Sequence, residues 1–185
     1  MTSASSAPPL VIRRAGPSDA RALATFAAAA FADSFAADNT PDDMAAYLAG
    51  AFGESQQRTE LLDPDSIVLL AERGSELAGY AMLRDGSAPP AVSGRPSDNA
   101  IEVARLYADK RWIGTGVGAT LMQACLDAGV ERGREWIWLG VWERNTRAIA
   151  FYARWGFTDV GSQFFQLGAD RQTDRIMARP LAARE

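Results

Sequence analysis

Hydrophobic and polar positions change period several times along the chain, and each change predicts an element. Leu10 to Arg13 reads as a short strand. Gly16-Pro17-Ser18-Asp19 carries an early proline and an acidic residue, which are helix-start signals. Leu23, Phe26, Ala27 and Ala30 then recur at helical spacing. Asn39-Thr40-Pro41-Asp42-Asp43 starts a second helix, with Met44, Tyr47, Leu48 and Ala51 on one stripe. After a turn at Asp63-Pro64-Asp65, Ile67 to Glu72 and Leu77 to Arg84 form two strands joined by a hairpin at Arg73-Gly74-Ser75-Glu76. Asp85 to Asn99 is rich in Pro, Gly and Ser and has no period; a loop of this length in a compact domain is a mobile lid or is disordered.

The second half alternates more regularly. Ile101 to Ala108 is a strand, and Gly116 to Arg132 is a helix with Val117, Leu121, Ala124, Cys125 and Ala128 on its inner face. Trp136 to Trp142 is apolar on both faces, as a central strand covered on both sides should be. Asn145 to Trp155 is a helix, and Phe157 to Leu167 with Thr173 to Ala178 close the chain as two strands. No repeat or second domain is visible. The pattern predicts an α/β (α+β) fold: one domain over 10–185, a mixed sheet of six or seven strands flanked by about four helices, after a disordered arm at 1–9.

Composition narrows the chemistry. The chain has 185 residues, 48% hydrophobic and 23% charged, the balance of a soluble globular domain. Its 19 basic and 23 acidic side chains leave a net charge of −4, which opposes broad nucleic-acid binding and suits a cationic small molecule. There is no histidine and one cysteine, Cys125. A Cys/His zinc site, a Ser-His-Asp triad and an internal disulfide are therefore excluded, and no metal is expected. Met1 to Pro9 lacks the basic start and apolar run of a signal peptide, and no stretch is long and apolar enough to span a bilayer, so a cytoplasmic location is expected.

The segment Arg111-Trp112-Ile113-Gly114-Thr115-Gly116-Val117-Gly118 links a strand to a helix. Its glycines let the backbone approach a ligand, and the free N–H groups with the helix dipole make an anion site suited to phosphate. Two cofactors compete for it. Gly114-x-Gly116-x-x-Ala119 formally fits the dinucleotide fingerprint, with Glu143 after the next strand as a ribose ligand. Against NAD, Asp109 to Ile113 separate the first glycine from the strand end. The other candidate is coenzyme A.

Glu102 to Asp109 (EVARLYAD), Gly114-Thr115-Gly116-Val117-Gly118, Asn145 and Phe151-Tyr152-Ala153-Arg154-Trp155-Gly156-Phe157, in this order, resemble the GNAT superfamily of acyl-CoA-dependent N-acetyltransferases. The resemblance runs from about Leu10 to Leu181. It implies a V-shaped splay between strands 4 and 5, acetyl-CoA as acyl donor, and a small amine as acceptor, with dimers frequent. The family loop usually reads Gln/Arg-x-x-Gly-x-Gly/Ala. Placed by distance from the strand carboxylate, Gly116 and Gly118 are the pair and Ile113 stands where Gln or Arg is expected. The resemblance makes Ile113, Gly114, Thr115, Gly116, Val117, Gly118 and Ala119 the pyrophosphate loop. It gives Leu106, Tyr107 and Ala108 to the thioester and pantetheine arm. Asn145, an N-cap candidate in its own right, also reaches the arm in the family, and Tyr152 protonates the departing thiolate.

Acetyl transfer to an amine also needs a proton acceptor. Strand alternation places Glu102 on one face with Ala104, Leu106 and Ala108, where desolvation makes it the best base in a chain without histidine. Cys125 falls on a core stripe and reads as packing, with no acetyl-cysteine intermediate. Retention of Glu102 and Tyr152 favours an enzyme over a non-catalytic CoA-binding regulator. Phe165 to Met177 and the opening helices resemble Pai-type polyamine acetyltransferases, which implies spermidine or spermine as acceptor. Asp33, Asp38, Asp42, Asp43 and Glu102 form an acidic set able to attract a polycation.

Overall fold

The computed structural model describes residues 8–86 and 99–181. Seven strands, β1 (Leu10–Arg14), β2 (Ser66–Arg73), β3 (Glu76–Asp85), β4 (Ala100–Ala108), β5 (Trp136–Trp142), β6 (Thr158–Leu167) and β7 (Asp170–Pro180), form one sheet in the order β1-β2-β3-β4-β5-β7-β6. Neighbours are antiparallel except for β4 and β5. Among the described residues five helices accompany it: α1 (Ala20–Phe35), α2 (Pro41–Ala51), α3 (Glu54–Leu62), α4 (Val117–Glu131) and α5 (Thr146–Arg154). The mixed sheet, its strand count and the single domain agree with the sequence pattern. β7 inserts between β5 and β6, which leaves β6 at the edge.

Strand alternation sorts the apolar side chains onto two faces. Leu69, Leu83, Ile101, Ile137 and Leu139 pack with Val117, Leu121 and Cys125 of α4, and α5 adds Phe151, Tyr152 and Trp155 at the margin. On the opposite face Val68, Leu70, Tyr80 and Met82 pack against Leu23, Ala27 and Phe31 of α1 and Met44 of α2. Cys125 is fully buried, and burial pushes its thiol up to about 12, as a packing residue requires. The helix starts follow their signals. Thr40 Oγ1 accepts from the Asp43 amide at 3.2 Å, and Asn145 Oδ1 accepts from the Ala148 amide at 3.1 Å.

The expectation of about four helices needs a correction, because α3 carries no apolar stripe. Its inward positions are Gln57, fully buried, and Glu60, 7% exposed. Gln57 Nε2 donates to the Ala51 carbonyl at 3.0 Å, and Glu60 pairs with Arg105 of β4 through two short contacts, 2.6 and 3.0 Å. Hydrophobic periodicity has nothing to detect in a helix held by a hydrogen bond to the end of α2 and an ion pair to the sheet.

The lid-or-disorder reading of Asp85 to Asn99 falls almost wholly on 87–98, outside the described residues, as does most of the expected N-terminal arm. Both flanks are anchored. Arg134 Nε donates to Asp85 at 2.6 Å and its Nη1 to Asn99 Oδ1 at 3.1 Å, while Arg132 adds a second pair to Asp85 at 3.1 Å. No helix among the described residues is long and apolar enough to cross a membrane.

Removing one partner of a buried ion pair costs about 3–5 kcal/mol, whereas an exposed pair contributes at most about 1 kcal/mol. Glu60→Ala is therefore expected to lower unfolding free energy by roughly that larger amount. Glu54→Ala, which breaks exposed pairs to Arg21 and Arg58, should leave it nearly unchanged. Equal effects in urea denaturation would show that the buried pair does not hold α3.

Candidate active site

The parallel pairing of β4 with β5 lasts for three registers, Ala100 to Glu102 against Trp136 to Trp138, and then stops. Beyond it the two strands diverge, so Ala104 to Ala108 and Leu139 to Trp142 leave backbone groups unpaired along facing edges. A cavity of about 1000 Å³ opens there, lined by residues from both sides of the sheet. This is the splay expected between strands 4 and 5.

A β-bulge sets which side chains face it. Val103 pairs with Leu83 and Arg105 with Met82, which leaves Ala104 without a partner on β3. The extra residue shifts the alternation by one. Strict period-2 alternation would put Glu102 on a face with Ala104, Leu106 and Ala108, and the bulge overturns this. Leu106 and Ala108 turn toward the α4 side, while Glu102 shares the opposite face with Arg105 and Tyr107. Glu102 is 16% exposed, beside Trp138 in register and 3.9 Å from Arg84 Nη1. Tyr107 sends its ring to that same face, against Tyr80 at 5.8 Å.

On the α4 side the glycine loop ends the slot. A short 3₁₀ turn, Lys110–Trp112, follows β4, and then Gly114 and Gly116 both adopt left-handed conformations with φ of 82° and 94°. Gly116 is the N-cap of α4, which puts Val117, Gly118 and Ala119 at positions whose amides have no acceptor within the helix. A Cβ at Gly114 or Gly116 would meet nothing within 4 Å, so the loop surface is open to a ligand. Thr115 is tied back by its amide and hydroxyl to the Trp112 carbonyl. Ile113 is 44% exposed at the rim. These open glycines and unpaired amides fit an anionic pyrophosphate, and Asn145, Tyr152 and Phe151 complete the wall. Burial pushes the Tyr152 phenol well above its ordinary range, so it remains protonated at neutral pH.

The dinucleotide alternative does not survive this topology. It needs a doubly wound parallel sheet with glycine at the strand end. Here β4 has an antiparallel neighbour on one side, and a 3₁₀ turn separates it from Gly114. Nor does the acidic set converge. Lys110 Nζ lies 2.9 Å from Asp33, and Asp43 accepts from Thr40 Oγ1 and from the Ala169 amide in the β6–β7 turn. Asp38 and Asp42 are exposed. Of the set, Glu102 and Asp33 line the cavity.

The structure adds one carboxylate that sequence reasoning missed. Asp174 of β7 is half-buried in the cavity wall, opposite Trp142 on one side and Gln163 on the other. Burial raises its carboxyl from 3.8 to about 6. The hint in the sequence was a charged residue inside an otherwise central strand. Among the described residues no three or more His, Cys, Asp or Glu side chains are grouped to hold a metal.

The raised carboxyl has a defined effect on stability. Below pH 3.8 Asp174 is protonated in both states and there is no penalty. Between 3.8 and about 6 the folded chain holds a proton that the unfolded chain has lost, so stability falls as pH rises. Asp174→Asn removes this, and its stability gain over wild type should grow from near zero at pH 3.5 to a plateau above about pH 6.5. A gain independent of pH in parallel melts would contradict the burial of this charge.

Comparison with known proteins agrees with this architecture. The model of the acetyltransferase (GNAT) family matches residues 29–157. An uncharacterized N-acetyltransferase from the pepI 3′ region of Lactobacillus delbrueckii subsp. lactis is 36% identical over 155 residues, covering 82% of this chain and 86% of the relative. An uncharacterized N-acetyltransferase of Mycobacterium tuberculosis is 32% identical over 163 residues, covering 88% and 98%. Among solved structures, the PaiA N-acetyltransferase of Thermoplasma acidophilum in complex with coenzyme A superposes with a TM-score of 0.74 at 19% identity, over 93% of this chain and 99% of that one. The ribosomal-protein-S18-alanine N-acetyltransferase of Escherichia coli gives 0.65 at 18% identity, over 96% and 97%. At these identities the structures speak for the fold, while the family match and the closer relatives speak for descent. The chain belongs to the GNAT family of acetyltransferases.

Proposed function

We propose that this N-acetyltransferase moves the acetyl group of acetyl-CoA directly to a primary amine in a ternary complex, with an acceptor of the polyamine class. The observation that carries the reading is the slot itself. Its α4 side ends in unpaired helix amides and bears a protonated phenol, and its other side bears a carboxylate. Donor and acceptor thus have separate approaches to one gap in the sheet.

Acetyl-CoA supplies the activated acetyl group and a thiolate leaving group when bound. The amides of Val117, Gly118 and Ala119 hold its pyrophosphate, aided by the positive end of the α4 dipole. Because that contact is made by backbone, the apolar Ile113 side chain weakens it without abolishing it. The free edge of β4 at Leu106 and Ala108 holds the pantetheine arm, and Asn145, already committed to capping α5, borders it. Glu102, through a water, takes the proton that the amine releases as its nitrogen attacks the carbonyl carbon. Tyr152 gives its phenolic proton to the sulfur as the C–S bond breaks. The polyamine assignment is supported by the Pai-like segment from Phe165 to Met177 and by the carboxylate on the acceptor side.

A ligand at 100 times its Kd stabilises by about 2.7 kcal/mol, which raises Tm by roughly 5–10 °C for a domain of this size. Acetyl-CoA and CoA should produce such a shift and NAD none; a shift with NAD alone would overturn the cofactor reading. In a thiol-release assay with spermidine, Tyr152→Phe should lower kcat by about tenfold or more while acetyl-CoA affinity is retained. Normal turnover in that variant would remove Tyr152 from the proton path. Activity should rise from pH 6 to 9, because an amine with a pKa of about 10 must first lose its proton. A flat profile would contradict attack by the free amine.

A further inference from the structure

The face of the slot opposite the cofactor loop holds a constellation not used above. Asp174 Oδ2 lies 3.3 Å from where a Cβ on Gly140 would stand, and Gln163 Nε2 lies 2.7 Å from the same point. Gly140 is the first position on β5, on the face of Trp138, beyond the last parallel pair with β4. The missing side chain therefore lets two polar side chains lean over β5 at the point where the slot opens. No donor among the described residues hydrogen-bonds the Asp174 carboxylate, although it is half-buried. A half-buried carboxylate left unpaired in a cavity is costly unless a cation joins it.

Aromatic rings surround the approach. Trp142 stands 6.1 Å from Phe35, Phe35 stands 4.6 Å from Phe31, Phe31 stacks at 4.7 Å on Tyr47, and Tyr47 stands 5.5 Å from Phe165. Four elements, α1, α2, β5 and β6, thus contribute one continuous wall beside Asp174. Aromatic faces attract alkylammonium groups, most strongly where water is excluded. Burial raises the Tyr47 phenol, Arg105 and Arg84 oppose this, and Asp174 adds a smaller upward effect, so both the two cations and the Asp174 charge act on that wall.

We propose that Asp174, framed by Gln163 and the aromatic wall and given room by Gly140, is the site that binds an ammonium group of the acceptor other than the nitrogen that attacks. The substrate class it selects is an alkylamine cation with an apolar or methylene body, held by one half-buried carboxylate and not by the exposed acids of α2. The assignment rests on the amine-acetylating reading above and names the acceptor half of the same site.

The test is calorimetric titration of spermidine, with n-butylamine as a second cationic probe, into the full chain saturated with CoA. Asp174→Asn should weaken amine binding at least tenfold. Asp42→Asn, which makes the same change of net charge at an exposed position of α2, should stay within twofold of wild type. Gly140→Ala should act in the same direction as Asp174→Asn, because its methyl displaces both polar side chains. CoA affinity, read in the same samples, should be unchanged in all three and reports folding and the donor half separately. Equal amine binding by Asp174→Asn and wild type, equal losses in Asp174→Asn and Asp42→Asn, or no binding of either amine by wild type would each overturn the site. If wild type releases thiol with an amine while Asp174→Asn binds that amine as wild type does, the ammonium site falls and the acetyltransferase stands.

Discussion

The rest of the molecule depends on a hydrogen-bond ladder that stops early. Strands β4 and β5 are parallel neighbours, yet they pair only from Ala100 to Glu102 against Trp136 to Trp138. In a closed sheet the remaining backbone groups would satisfy one another, and there would be no room for a ligand. With the ladder interrupted, two strand edges present donors and acceptors across a gap in the middle of a rigid sheet. The bulge at Ala104 adds the second half of the device. It turns Glu102, Arg105 and Tyr107 to one face and Leu106 and Ala108 to the other, so that polar and apolar demands are separated across the slot.

On the acceptor side, the polar anchor of the fold and the aromatic wall are physically joined. Arg105, held by Glu60, lies over the Phe52 ring at 4.9 Å, and Phe52 packs on Phe31 at 5.4 Å and on Tyr47 at 6.0 Å. The ion pair that fastens α3 to β4 therefore also supports the rings beside Asp174. Rigid rings cost little conformational entropy to order, which suits a wall that must meet a flexible amine. On the cofactor side the relevant groups are backbone amides, whose positions are set by the left-handed Gly116 N-cap and the start of α4. Side-chain identity at Ile113 then matters less than the path of the main chain.

Much of this was present in the order of residues. Among the described residues, apolar patterning located the seven strands and four of the five helices, most clearly β2, β3, β5, α1 and α4, which bury apolar stripes. The N-caps at Thr40 and Asn145 were readable because capping is a local contact between neighbours in sequence. The glycine loop was readable for a similar reason: Gly116 is itself the N-cap of the helix that follows it. The absence of histidine leaves the chemistry to carboxylates, tyrosine, lysine, arginine and backbone groups.

What only the tertiary structure decided involves residues far apart in the chain or a break in periodicity. Helix α3 escaped detection because its buried face is Gln57 and Glu60, which bond to the Ala51 carbonyl and to Arg105 on a distant strand. The face of Glu102 could not be read from alternation, because a single bulge residue reverses every side chain beyond it. Asp43, a plausible cation ligand in the sequence, is spent on the Ala169 amide in the β6–β7 turn. Asp174 looked like an ordinary charged residue until β7 inserted beside β5 and brought it over Gly140. Sequence determines which groups the chain has and what their near neighbours make of them. Which carboxylate faces the slot depends on long-range pairing, and only the folded sheet sets that.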